Sequence, residues 1–185
     1  MKHSYIKGAR RFLLTAVLLC GLGGRVFGGP EYPSIINNGT ILINTGAGWG
    51  SHLTGGKGEF RCPPLTVSLD YALPFGTLPF TFGLAFGFSS ESLYGLDFNN
   101  FGFAARVAYH FSIPIEAANI YRRLDTYALA VLGGILEANS IENEGAFWWT
   151  LGGGLRYFFL PWFGAYMEAG FSEFTIISGG LSFRL

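Results

Sequence analysis

His110 and Ser112 stand two residues apart, and Glu116 follows four further on. A base, a hydroxyl and an acid are the ingredients of nucleophilic catalysis, in which an imidazole takes the proton from an attacking oxygen and a carboxylate orients the imidazole. A second set of chemistry-bearing residues is spread more widely: Asp70, Arg106, Arg156, Glu168 and Arg184, with Asp125 beside them. Other patterns carry less. Gly152-Gly153-Gly154 lacks the Gly-Lys-Ser/Thr ending of a phosphate loop. Asn38-Gly39-Thr40 fits the glycosylation sequon, a short pattern with a high chance rate. The sequence has no metal-ligand spacing, and no cofactor is expected.

What these residues can do depends on the elements that position them. In 79–89, PFTFGLAFGFS, Phe80, Phe82, Leu84, Phe86 and Phe88 alternate with Thr81, Gly83, Ala85, Gly87 and Ser89. Period-two alternation is a β-strand with two unlike faces. Seven further segments repeat the pattern: 41–49, 65–73, 101–111, 125–136, 147–159, 163–171 and 177–185. The large apolar set includes Trp49, Tyr71, Tyr109, Tyr127, Leu129, Val131, Ile135, Trp149 and Tyr157. The opposite faces hold mainly Gly, Ala, Ser and Thr, with Asn44, Asp70, Arg106, His110, Arg156, Glu168 and Arg184 among them.

Composition says which solvent the large face meets. Half of the 185 residues are hydrophobic and only 13% are charged, about half the usual share for a soluble domain. Gly numbers 28 and Phe 19, a Gly-plus-aromatic bias typical of β proteins. Mean hydropathy is +0.35, yet no run of eighteen apolar residues exists for a membrane helix. Without helices, the only structure that spans a bilayer is a closed barrel. Eight strands of about ten residues are long enough to cross at a tilt, and an even number closes up-and-down without an edge. A soluble barrel with its phenylalanines inside would leave a face of glycines to water, so it is disfavoured.

The first 28 residues, MKHSYIKGARRFLLTAVLLCGLGGRVFG, have a basic start, a short apolar stretch and a small residue at the end, the form of a cleaved signal peptide. Leu19 before Cys20 argues against a lipoprotein site. The leader holds five of the 12 basic residues and no acidic one, so the remainder carries a net charge of −5. That balance argues against nucleic acid as a partner. Cys62 is left as a single thiol, read as lying in a loop. The domain reading is therefore a signal peptide over 1–28, an N-terminal periplasmic segment over 29–38 and a transmembrane barrel over 39–185.

With the N-terminus in the periplasm, the short connections 74–79 and 160–162 fall on the inner side. Tyr71, Tyr109, Tyr127 and Tyr157 then lie near inner strand ends and Trp49 and Trp149 near outer ones, forming two aromatic belts. The outer loops are read as 51–64, 90–100, 137–146 and 172–175, acidic on balance, and 112–124 as the longest inner connection, with room for a helical turn.

The signal peptide, the eight alternating segments and the ending SGGLSFRL resemble the small eight-stranded outer-membrane barrels of Gram-negative-type bacteria. That group includes outer-membrane proteins W and X and the membrane domain of outer-membrane protein A. The resemblance implies an all-β, eight-stranded antiparallel up-and-down transmembrane barrel in the outer membrane, monomeric because its edges are closed. Its terminal strand resembles the signal read by the barrel-assembly machinery: Ser178, Gly180, Phe183 and a final apolar residue, here Leu185 where Phe is usual. Likeness to the W-type implies a narrow, porin-like passive channel for small, hydrophobic solutes. Likeness to the X-type implies a sealed structural or surface-interaction barrel.

The charged lumen set then reads either as a salt-bridge plug or as a selectivity constriction. His110 and Ser112 resemble the pair used by eight-stranded lipid A deacylases. They fall at the periplasmic end of their strand, however, whereas that chemistry belongs to the outer leaflet. The chain is therefore read as non-enzymatic, with the enzyme as the most distant alternative.

Overall fold

The computed structural model describes residues 35–49, 59–73, 79–93, 96–111, 123–138, 143–171 and 175–185. The proposed signal peptide, Ser112, Glu116 and most of the connection 112–124 lie outside these. So do the turn 74–78 and the segment 50–58. Eight strands are present: β1 (Ile41–Trp49), β2 (Glu59–Ala72), β3 (Phe80–Leu93), β4 (Leu96–Phe111), β5 (Leu124–Ala138), β6 (Asn143–Leu160), β7 (Phe163–Phe171) and β8 (Ile177–Arg184). Each pairs antiparallel with its sequence neighbours, and β8 pairs with β1 to close the barrel. No described helix is long and apolar enough to cross a membrane, which says nothing of a barrel.

The end where β1 starts and β8 finishes is called the base, and the opposite end the top. Leu65, Val67, Leu69, Phe82, Leu84, Phe86, Phe101, Phe103, Leu155, Met167 and Leu181 are exposed on the outer wall. Small and polar residues turn inward. Eight strands leave an interior just wide enough for side chains to fill, and here they fill most of it.

Three expectations are corrected. The strands run further at the top than the alternation indicates: β2 begins at Glu59, β3 and β4 pair as far as Leu93 and Leu96, and β5 and β6 as far as Ala138 and Asn143. Much of the presumed loops 51–64, 90–100 and 137–146 is therefore wall. Cys62 belongs to β2, where register shifts flank it and absorb Pro63 and Pro64, residues an unbroken ladder would reject.

The third correction concerns β5. Tyr127, Leu129, Val131 and Ile135 are buried inside the barrel, and Ala130, Leu132 and Leu136 face out. Tyr127 is thus not part of an outer aromatic belt. Asp125 shares its face by parity, and both side chains find polar partners only in the interior. The apolar residues further up the same face pack with Ala104, Ala108 and Trp148 in the upper lumen.

A second apolar cluster closes the base. Leu42, Ala72 and Phe158 pack with Ile36, and Ile35 leans on the group. Gly39 makes the bend into β1 at φ 84°, a conformation glycine adopts without steric cost.

Candidate lumen network and cavity

Between the two apolar clusters lies a layer of buried charge. Arg156 is completely buried. Its Nη1 lies 2.7 Å from Asp125 Oδ2, its Nη2 3.3 Å from Asp70 Oδ2, and its Nε donates to Asn44 Oδ1 at 3.1 Å. The guanidinium also stacks 4.0 Å from the centroid of the Tyr127 ring. Arg106 donates to both carboxylate oxygens of Glu168, Nη2 to Oε1 at 2.7 Å and Nη1 to Oε2 at 3.4 Å. Its Nε is 2.8 Å from Asp70 Oδ1, an ion pair without hydrogen-bond alignment. Ser182 donates to Asn44 Oδ1 at 2.8 Å, and Asn44 donates to Ser68 at 2.9 Å. Burying ions is costly unless each is paired and its remaining hydrogen-bonding capacity is met.

The small residues of the sequence explain how partners on non-adjacent strands meet. Gly83 pairs with Asp70 on one side and Arg106 on the other. With no side chain between them, Arg106 reaches across a whole strand, roughly 9.5 Å of sheet, to Asp70. A Cβ on Gly83 would collide with Leu69 O and Asp70 Oδ1. Gly154 likewise sits between Tyr127 and Glu168, and the Tyr127 hydroxyl donates over it to Glu168 Oε1 at 2.7 Å. Tyr166 lies over Gly180 and Gly46, bringing its hydroxyl 3.2 Å from Thr66 Oγ1. The faces that look empty in the sequence are spaces for long side chains from the next strand.

His110 Nδ1 lies 2.7 Å from Asp125 Oδ1, and Nε2 lies 3.0 Å from Thr81 Oγ1. An ionised carboxylate only accepts, so Nδ1 carries the proton. Hydroxyl, imidazole and carboxylate here have the connectivity of a nucleophile, its base and an orienting acid. All three side chains are buried, however, and the lumen cavity does not reach them. The arrangement fastens β3, β4 and β5 together. Ser112 and Glu116, weighed with His110 in the sequence and set aside there, lie outside the described residues.

Arg184 stands apart from the network. It donates from Nε to Pro161 O at 2.7 Å and from Nη1 to Ile35 O at 3.4 Å, and stacks 4.5 Å over Phe158 at the base. Of the other residues singled out in the sequence, Trp49 is 78% exposed on the outer wall near the top, with Trp149 also exposed there. Tyr71, Tyr109 and Tyr157 face outward nearer the base. Ser178 is buried inside, Gly180 faces inward, Phe183 packs 5.5 Å from Phe163 outside, and Leu185 is exposed.

Thr81, Tyr166 and Ser182 take part without having been singled out. Their signal was available only in part: each sits at an inward parity, but a hydroxyl at such a position is ordinary. Above the network the lumen holds a cavity of about 80 Å³, with Arg106, Tyr166 and Glu168 at its floor and Leu129, Val131, Trp148 and Thr150 along one wall. Among the described residues no cluster of His, Cys, Asp and Glu could hold a metal ion.

No protein-family model matches the sequence, and no curated protein matches it. Solved structures are similar to it, two of which are outer-membrane barrels. The N-terminal β-barrel domain of Pseudomonas aeruginosa OprF is 18% identical with a TM-score of 0.46, covering 80% of this chain and 98% of that one. The Yersinia pestis outer membrane protein Ail in a phospholipid bilayer nanodisc is 14% identical with a TM-score of 0.48, covering 80% of this chain and all of that one. The hydrogen-bonded ladder itself, closed from β1 through β8, establishes this chain as an eight-stranded antiparallel up-and-down barrel.

Proposed function

We propose that this chain is a bacterial outer-membrane barrel with a sealed lumen, acting as a structural or surface-interaction element of the envelope. Its partners are membrane lipid on the outer wall and the barrel-assembly machinery during insertion, and it works as a monomer. The observation that carries the sealed lumen is Arg156, fully buried and engaged by Asp125, Asp70, Asn44 and the Tyr127 ring. Beneath it, Leu42 and Phe158 close the base with Ile36. The outer wall supports the membrane: its large exposed side chains are mainly Leu and Phe, with Val, Ile, Met, Trp and Tyr among them, which a bilayer solvates and water does not. The leader-like first 28 residues support export.

A passive axial channel for small hydrophobic solutes would need Arg156, Tyr127 and Phe158 to move together, breaking two buried ion pairs. The sealed reading is therefore preferred to the conduit. The test is single-channel recording of the refolded chain in planar bilayers. Folded wild-type protein gives no discrete current steps, and the double variant Arg156→Ala, Phe158→Ala gives them. Steps from folded wild-type protein would overturn the sealed reading.

A further inference from the structure

The lumen cavity is not accounted for by a structural barrel. It lies above the charged network, and its lining combines two chemistries. Leu129, Val131 and Trp148 make an apolar wall from β5 and β6. At the floor, Glu168 retains 13% side-chain exposure although it points into the barrel, and this exposure faces the cavity. Its Oε1 is taken by Arg106 and Tyr127, whereas Oε2 receives only the 3.4 Å bond from Arg106 Nη1. One acceptor therefore has capacity to spare. Thr150 stands on the same wall, more than nine-tenths buried, but its Oγ1 is sealed from the cavity space, so Glu168 is the acceptor the cavity can use.

Wall height sets the approach. The strands β7, β8 and β1 are 9, 8 and 9 residues long and stand together, while β2 to β6 run from 14 to 18 residues. All rise from the same base, so among the described residues the ladder is lower at the top on this side. The cavity lining extends to Gly170, Thr175 and Ile176 at the upper ends of β7 and β8.

We propose that the cavity is a binding site for a small neutral molecule with a compact apolar body and one hydroxyl. The body packs on Leu129, Val131 and Trp148, and the hydroxyl donates to Glu168 Oε2. A charged ligand is disfavoured because Arg106 and Glu168 already neutralise one another. The site requires no axial opening, so it stands independently of whether the lumen conducts ions.

Phenol and toluene are the probes, nearly equal in size and differing in the hydroxyl. The readout is the indole N–H resonance of Trp148 in the full chain refolded into nanodiscs, identified by its loss in Trp148→Phe. Phenol shifts this resonance saturably, and toluene binds at least tenfold more weakly at equal free concentration. Ala85→Leu, which fills the cavity from β3, abolishes the saturable shift. Glu168→Gln, which keeps the shape and removes the charge of the acceptor, brings phenol and toluene to within about threefold of each other. A linear, non-saturating response to phenol in folded wild-type protein would overturn the site and leave the cavity to water. Saturation that persists unchanged in folded Ala85→Leu would place the binding elsewhere. An unchanged preference in folded Glu168→Gln would overturn the assigned hydroxyl chemistry.

Discussion

Tyr127 and Glu168 stand two strands apart, and the hydroxyl of one donates to the carboxylate of the other at 2.7 Å across the bare backbone of Gly154. A Cβ at Gly154 would lie 2.5 Å from the Tyr127 ring. The same ring carries the Arg156 guanidinium on its face. One side chain therefore joins the two halves of the charged layer: Arg156 with Asp125, and Arg106 with Glu168. Tyr127→Phe separates its two roles, keeping the ring beneath Arg156 and removing the hydrogen bond. A bond to a charged group contributes about 1.5–3 kcal/mol. Urea unfolding from lipid vesicles should show a loss of that size for Tyr127→Phe, and a larger one for Tyr127→Leu, which also removes the ring.

Arg156 is the residue whose removal leaves the most uncompensated charge. Arg156→Met leaves Asp125 with only His110 and Asp70 with only Arg106 in the interior, and breaking a buried pair from one side costs about 3–5 kcal/mol. Adding Asp125→Asn removes one of these charges and should recover part of the loss. A double variant no more stable than Arg156→Met would show that Asp125 is not held by Arg156.

The Arg61–Asp97 pair gives the contrast. Its nitrogen and oxygen are 2.6 Å apart, closer than in any Arg156 pair, but the side chains are 60% and 42% exposed. Exposed pairs contribute only about 0–1 kcal/mol and are screened by salt. Arg61→Ala should cost less than about 1 kcal/mol, and that cost should vanish in 1 M NaCl. The cost of Arg156→Met should hardly change. Equal salt sensitivity for the two variants would contradict the burial of the network.

How far the sequence reveals this arrangement can be judged strand by strand. Wherever one face carried large apolar residues and the other small ones, as in β3, β4 and β7, the facing of every side chain was legible. In β5 it was not, because both faces are apolar: Leu129 and Val131 on one, Leu132 and Leu136 on the other. Size gave no contrast there, and the deciding residue was Asp125, whose parity carries Tyr127 inward with it. The network members were legible as inward charges, but their partners were not. Partnership depends on register between strands, and register set Gly83 between Asp70 and Arg106. Strand lengths were understated because the upper walls of β2 to β6 lose the lipid-facing alternation.

The facing of β5 can be checked directly. Spin labels placed on single cysteines, in a chain where Cys20 and Cys62 are replaced by serine, report contact with oxygen dissolved in the bilayer. Labels at Ala130 and Leu132 should be strongly accessible and labels at Leu129 and Val131 weakly so, alternating with period two. The opposite alternation would restore Tyr127 to the outer wall and remove it from the network.

The last prediction isolates the space that glycine leaves. A methyl at Gly83 would press on Leu69 O and on the Asp70 carboxylate, and the backbone atom cannot retreat. At Gly145 the same methyl would meet Leu136 Cδ2 at 3.7 Å and Ile135 O at 3.9 Å, both ordinary contacts. Overpacking costs about 1–3 kcal/mol, whereas glycine inside a strand is by itself about 0.5–1 kcal/mol worse than alanine. Gly145→Ala should therefore be neutral or slightly stabilising, and Gly83→Ala clearly destabilising, in paired urea titrations. Part of the Gly83→Ala loss should come through the displaced Asp70 carboxylate. Combined with Asp70→Ala, the Gly83→Ala substitution should then cost less than it does alone. If the two losses simply add, the steric clash with Leu69 accounts for the whole effect, and Gly83 is not what admits Arg106 to Asp70.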